Sequence, residues 1–475
     1  MATKTTLRTG SLLAATVLFL PIGIPAAEAA APRPGASTLN DRLFPGLGNG
    51  GYDALSYDVS LDYRTGTTKM PASVTMRARA TQSLSSFSLD SAGQQISLVT
   101  VDGRPAQYKL AKEKLTITPA RPLYKYLPFT VRVVYTADRS QNPVSPGLDL
   151  PPGVPSPFTV WNETPDGFGV MGQPNREHVV FPSNDHPSDK AQYTLRITAP
   201  NDRTGVASGR LQAKYWHGAT TTWVYRTAHP IKTDVVAIAV GKFRTIKQTG
   251  PHGLPLRAVR RARPHQPVRR GRAGDGRVVH LRTPTLAGRE GRGRDAVHEM
   301  THQYFGDAVS VRSWDDMWIS EGHARYYERK YDASRGFTNL DQEPKDLYEA
   351  DQQSRSQAGP MGQLNNQLAV LFDTDVPGQL MLTGLDTLVG DPTFRRIEQT
   401  FFDRYRDRDA STQDYIDVAN EVSGRDLTQY FRAWIYGKTT PPMPERRPGC
   451  GVWRSGASSG VPPGRVVPSL RAESL

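Results

Sequence analysis

Residues 298–302 read His298-Glu299-Met300-Thr301-His302, and they set the architecture expected for the second half of the chain. On an α-helix, residues four apart share a face, so both imidazoles can reach one metal ion. Glu299, one residue along, then lies beside that ion rather than on it. The pattern predicts a metal-binding helix whose glutamate is available to act as a base.

A third candidate ligand, Glu321, follows nineteen residues after His302 within the segment 314–322. The intervening residues are enough to return the chain antiparallel, so a second helix can bring this carboxylate to the imidazoles. Two histidines and one glutamate, with a fourth position left for water, form a zinc ligand set found in peptidases. Cys450 is the only cysteine, which excludes sites built from several thiolates. The ligand spacing alone does not distinguish zinc from cobalt or manganese. A helix pair that binds no metal is the structural alternative.

Upstream of these helices, from about residue 50 to 243, apolar and polar residues alternate. A period of two predicts β-strands with one face in a core. The clearest run comprises Leu55, Tyr57, Val59, Leu61 and Tyr63. A chain of 475 residues exceeds what one core usually serves. We therefore predict an α+β multidomain protein, with an N-terminal antiparallel β domain over 30–248 and a mainly α domain over 298–440.

Local signals mark where the helices begin and what they pack against. Asp295 and Ser320 are candidate N-caps, and Ser411-x-x-Asp414 resembles a capping box. Trp314 and Trp318 stand four residues apart, which favours core packing over a substrate platform.

An arginine-rich segment over 249–297 separates the two predicted domains. From Arg257 to Arg294 there are twelve arginines against Asp275 and Glu290, a net charge of +10 out of +13 for the whole chain. No aromatic residue occurs between Phe243 and Tyr304, so the segment lacks the residues of a core. We hypothesise that it is a disrupted start of the helical domain, translated from a shifted frame. A basic arm that binds phosphate or anionic lipid is the functional alternative.

The first residues follow the pattern of a secretory signal. Lys4 and Arg8 precede an apolar run over 11–27 that Pro21 and Pro25 interrupt, and small residues end at Ala29. The run is short for a membrane span, which is usually about 20 residues long. We predict a signal peptide over 1–29, a secreted protein without a stable membrane anchor, and a low-complexity tail over 441–475.

Several motifs together resemble the gluzincin family of M1 zinc aminopeptidases, in a short, secreted, bacterial-type form. The helix from His298 to Phe305 and the segment 314–322 match the metal-binding region, and the segments 173–174 and 181–187 resemble the N-terminal-domain signature. The segment 431–437 resembles the end of the catalytic domain.

This resemblance implies a saddle-like β domain followed by a thermolysin-like zinc peptidase domain. It implies that His298, His302 and Glu321 bind Zn²⁺ and that Glu299 is the general base. It also implies that Gln173 helps to bind the free amino terminus of a substrate. The expected partners are peptides or proteins, with no specific nucleic acid and with the oligomeric state left open.

The chain departs from the family pattern at two places. Family members usually carry a tyrosine that donates to the oxyanion three residues before a glycine, and here Asp375 precedes Gly378. The family's loop that binds the substrate amine should fall inside the arginine-rich segment, and it is absent from the sequence there. The alternative to an active aminopeptidase is a catalytically impaired relative that acts as a binding protein, or a disrupted gene product.

Overall fold

The computed structural model describes residues 31–141, 159–249, 255–261, 289–339, 345–367 and 369–445. The predicted signal peptide, most of the arginine-rich segment and nearly all of the predicted tail lie outside these residues. The domain boundaries proposed from the sequence stay predictions.

The N-terminal half of the described chain consists of β-strands, as the alternating pattern predicts. In chain order these are β1 Arg33–Pro34, β2 Tyr52–Asp62, β3 Lys69–Ala80, β4 Leu84–Asp90, β5 Gln95–Val101, β6 Arg104–Pro105, β7 Gln107–Ala111, β8 Lys114–Thr118, β9 Pro128–Asp138, β10 Trp161–Thr164, β11 Gly167–Val170, β12 Gln192–Pro200, β13 Thr204–Ala207, β14 Arg210–His217, β15 Thr220–Arg226, β16 Ile238–Gly241, β17 Phe243–Thr249 and β18 Pro255–Arg261.

The largest sheet has the strand order β14-β15-β12-β2-β3-β9-β5-β6. Its pairs are antiparallel except β12 and β2, which run parallel with Gln192 opposite Ser56. The β domain is therefore mainly antiparallel, as predicted, and this one parallel pair makes its largest sheet mixed. Strands joined by a short hairpin turn must run antiparallel, but about 130 residues separate β2 from β12, so these two strands can pair in parallel.

Along β2 the predicted alternation holds at Tyr57, Val59 and Leu61, which are buried in the core of the β domain. Leu55 breaks it and is 37% exposed. The register against β3 shifts between Ala54 and Ser56, so a bulge turns the intervening side chain outward.

The C-terminal half of the described chain is helical, which agrees with the predicted order of a β domain before a mainly α domain. Its elements are α1 Arg289–His302, β19 Ser310–Val311, α2 Trp318–Ser334, α3 Lys345–Ala358, α4 Ala369–Phe372, α5 Asp375–Val389, α6 Asp391–Tyr405, β20 Asp409–Ala410, α7 Thr412–Ser423 and α8 Thr428–Tyr436. Within the described ranges, none of these helices is long and apolar enough to cross a membrane.

The helix starts agree only in part with the local signals. At α7, Ser411 and Asp414 form the predicted capping box. Asp295 and Ser320 are not caps, because α1 begins at Arg289 and α2 begins at Trp318. Ser320 instead lies in the first turn of α2, where its hydroxyl contacts His302 across the helix pair.

The core of the helical half also takes in a segment from the chain's N-terminal end. Trp314 and Trp318 are buried there, as predicted. Residues 43–47 pack into the same core, and the ring of Phe44 lies 4.5 Å from that of Trp314. Asp41 fixes this segment, since its carboxylate accepts hydrogen bonds from the backbone of Leu43 and Trp314.

A loop of the β half contacts the turn that follows α1. Lys190 donates from Nζ to the backbone oxygens of Asp307 at 2.7 Å and Ala308 at 2.6 Å. Nearby, the ring of His186 meets Trp314 edge-on at 4.8 Å. These contacts fix the exit of the helix that carries His298 and His302.

Candidate metal centre

Helix α1 presents two imidazoles from its last turn. The rings of His298 and His302 lie one helical turn apart, with centroids separated by 4.8 Å. The helix ends at His302, and Gly306 follows with φ = +120°. A Cβ at Gly306 would lie 2.4 Å from Oγ of Ser320, so only glycine permits the turn to pack so closely against α2.

Helix α2 brings the carboxylate of Glu321 to both rings. Its Oε2 lies 3.7 Å from Nε2 of His298 and 3.4 Å from Nε2 of His302. Within the described residues these three side chains form a group whose donor atoms all lie within 4.8 Å of one another. The structure thus brings together the three candidate ligands predicted from sequence, across the eighteen residues between His302 and Glu321.

A close approach of two glycines sets the position of Glu321. Gly322, the next residue, faces Gly378 of α5, and a Cβ at Gly322 would lie only 2.8 Å from the Cα of Gly378. The backbones of α2 and α5 therefore meet without intervening side chains, and this contact fixes the depth of Glu321 in the site.

The site favours positive charge at His298. Burial alone would lower the pKa of this imidazole, but hydrogen bonds with Glu321 and Glu328 outweigh it and raise the pKa to about 10. The same carboxylates would attract a cation bound at Nε2 of the ring.

The donor set fits zinc. Nδ1 of His302 contacts Oγ of Ser320 at 3.1 Å, and Nδ1 of His298 contacts Oε2 of Glu328 at 3.1 Å. Because the Nδ1 atoms already have partners, Nε2 of each ring is the atom that faces Glu321. Two imidazole nitrogens and one carboxylate oxygen make up a zinc set with an open fourth position.

Glu299, the predicted base, is half-buried on α1, one residue beyond His298. Gln173, the predicted amine-binding residue, belongs to a different element. It follows β11, is half-buried and forms a cis peptide bond with Pro174. Its contribution to substrate binding stays a prediction.

Asp375 begins α5, close enough to the candidate ligands Glu321 and His298 for their charges to act on its carboxyl group. Burial raises the pKa of its carboxyl group, while the positive charge of Arg325 lowers it. Nε of Arg325 lies 3.9 Å from Oδ2 of Asp375. The position at which the resemblance leads one to expect an oxyanion donor therefore carries a half-buried carboxyl group beside an arginine.

Two further residues of α2 have roles that the sequence analysis missed or left open. His323 is fully buried, stacks on Phe305 at 4.1 Å and contacts Glu398 through Nε2, so it belongs to the core.

Glu328 was not among the residues predicted from the sequence motifs. It stands seven residues after Glu321, a spacing that places both side chains on one face of the helix and could have indicated it.

Comparison with known proteins agrees with this geometry. Residues 294–434 match the family model described as Peptidase family M1 domain. Aminopeptidase N of Streptomyces lividans is 28% identical over 162 residues, which cover 32% of this chain and 19% of that protein. Glutamyl aminopeptidase of Bitis rhinoceros is 21% identical over 326 residues, covering 55% of this chain and 33% of that protein. The matches therefore span a third or less of these relatives.

Solved structures match over much more of the fold. The M1 zinc metallopeptidase from Deinococcus radiodurans superposes with a TM-score of 0.71 at 24% identity, covering 86% of this chain and 100% of that one. A mutant of the same protein bound to a Tyr-Ser-Ala substrate gives a TM-score of 0.71 at 25% identity, with the same coverage. The described chain therefore has the fold of these M1 zinc metallopeptidases, and its residues 294–434, which carry the gathered histidines and glutamate, match the Peptidase family M1 domain.

Proposed function

We propose that the protein is a zinc aminopeptidase that hydrolyses the N-terminal peptide bond of peptides and proteins. The observation that carries this proposal is the convergence of His298, His302 and Glu321 within 4.8 Å, beside a glutamate on the same helix. The related metallopeptidase with a bound Tyr-Ser-Ala substrate supports a peptide as the substrate class.

Each residue of the site has a distinct task in this reaction. His298, His302 and Glu321 would hold zinc, which when bound polarises the peptide carbonyl and lowers the pKa of water. Glu299 accepts a proton from the attacking water and delivers it to the leaving amine. Gln173 contributes to holding the free amino terminus, which restricts cleavage to the first bond.

The test compares the wild-type protein with Glu299→Gln on an aminoacyl-4-nitroanilide, with zinc content measured on both. We expect both proteins to contain one zinc ion and the variant to lose hydrolysis by a factor of at least about 100. Glu421→Gln makes the same chemical change at an exposed residue paired with Arg404, and it serves as the matched control. An N-acetylated substrate should resist the wild-type enzyme if a free amine is required.

Two outcomes would contradict the proposal. Wild-type protein without zinc would refute the metal site. Full zinc occupancy without hydrolysis in either protein would instead favour a catalytically impaired binding protein. The observation that favours this second candidate is the half-buried carboxyl group of Asp375 at the place of the expected oxyanion donor.

We further propose that the protein acts outside the cytoplasm. The support is the basic, apolar and small-residue pattern of residues 1–29. Mass spectrometry of the protein recovered from the culture medium should find a new amino terminus near Ala30. An intact Met1 on protein that stays inside the cell would contradict secretion.

A further inference from the structure

A cluster of charged side chains lies behind His298, on the side away from the candidate metal. Glu328 is its central member, with a side chain only 8% exposed and Oε2 3.1 Å from Nδ1 of His298. Its other oxygen, Oε1, accepts from Nη1 of Arg325 at 2.9 Å. The two carboxylate oxygens thus serve two different partners.

A second arginine extends this cluster to α1. Nε of Arg294 lies 2.8 Å from Oδ2 of Asp332 and 3.6 Å from Oε1 of Glu328. Arg294 belongs to the arginine-rich segment, whose last part forms the first turns of α1. This arginine therefore has a defined partner in the fold, although 44% of its side chain is exposed.

We propose that Glu328 is a positioning residue that orients His298 for the metal, with Arg325 and Arg294 holding its carboxylate in place. This inference rests on the proposed zinc site. A carboxylate that accepts the Nδ1 proton of an imidazole fixes the ring and its tautomer, which leaves the Nε2 lone pair for a metal and raises its basicity.

The second imidazole provides an internal comparison. His302 has neutral partners at Nδ1, namely Oγ of Ser320 at 3.1 Å and the backbone oxygen of Phe305 at 3.4 Å. The two histidines are therefore supported unequally, by a carboxylate on one side and by a hydroxyl and a carbonyl on the other. Loss of the carboxylate should weaken zinc binding more than loss of the hydroxyl.

The experiment measures the dissociation constant of Zn²⁺ for the full chain by competition with a chromophoric chelator. Glu328→Ala should bind zinc about 10- to 100-fold more weakly than wild type. Glu328→Gln should lose less zinc affinity than Glu328→Ala, because the amide keeps one of the two acceptor oxygens that the carboxylate offers. Ser320→Ala should show a smaller loss than Glu328→Ala.

Asp332→Asn is the matched control. It removes a buried carboxylate of the same cluster that contacts Arg294 but not His298. We expect its zinc affinity to stay within about threefold of wild type, below the range for outer-shell residues that contact a ligand. Thermal unfolding of every zinc-free variant shows whether the fold is intact, and if Glu328→Ala fails to fold, the isosteric Glu328→Gln decides.

The outcomes separate this inference from the proposed function. If wild-type protein does not bind zinc, the proposed function itself fails. If wild type binds zinc but folded Glu328 variants bind it as tightly as Asp332→Asn, the positioning role is refuted. Graded weakening from Ser320→Ala to Glu328→Ala supports it.

Discussion

Replacing Gly322 by alanine tests how the packing of α2 on α5 positions Glu321. The added Cβ would lie 2.8 Å from the Cα of Gly378, where ordinary contacts are 3.4–4 Å, so the helices must separate by about 0.6 Å. The contact joins a Cβ to a backbone Cα, so no flexible side chain can move aside to relieve it.

The expected magnitude follows from two opposing effects. Alanine favours the helix over glycine by about 1 kcal/mol, whereas forced overpacking costs about 1–3 kcal/mol. We expect the free energy of unfolding to fall by up to about 2 kcal/mol in the zinc-free protein. Metal–ligand distances are held within about 0.2 Å, so a displacement three times larger should weaken zinc binding on the order of tenfold.

The assay combines urea unfolding of the zinc-free protein with zinc affinity from chelator competition. Gly46→Ala is the matched control, because a Cβ at Gly46 meets no atom within 4 Å and its backbone is not in the left-handed region. If Gly322→Ala matches this control in both stability and zinc affinity, the close approach of the two glycines does not set the position of Glu321.

Two further predictions concern the β half and its contact with the helices. Burial would lower the pKa of His178, but hydrogen bonds with Asp185 and Glu113 raise it to about 9. Protonation of His178 therefore stabilises the fold fully below about pH 6.5, and this stabilisation is lost as the pH rises through 9. In His178→Asn, the free energy of unfolding should depend less on pH between these two values. Asp41→Ala should lower the unfolding free energy by about 1–3 kcal/mol in urea titrations, because the backbone N–H of Trp314 is buried there; an unchanged midpoint would contradict this.

Agreement between sequence and structure is closest where the pattern is local. His298 and His302 share a helix face by spacing alone, and Ser411 with Asp414 forms a cap within one turn. Agreement fails where a distant partner competes. Ser320 has the chemistry of a cap, yet its hydroxyl contacts His302 from within the first turn of α2.

The residue types and spacings of the candidate metal centre can be predicted from the sequence alone, because an i, i+4 pair and a following helix are properties of a short stretch of chain. The sequence likewise indicated β-strands within the described part of residues 50–243, because a period of two is visible in any short window. The resemblance to peptidase family M1 rests on these local motifs, and the family model matches residues 294–434.

The tertiary structure was needed to show which strands pair and which side chains contact each candidate metal ligand. The parallel pairing of β12 with β2, the packing of residues 43–47 in the helical core and the contact of Glu328 with His298 join segments that are 30 to 270 residues apart. Such contacts depend on which surfaces remain to be buried once the local elements have formed, and no short window of sequence contains that information.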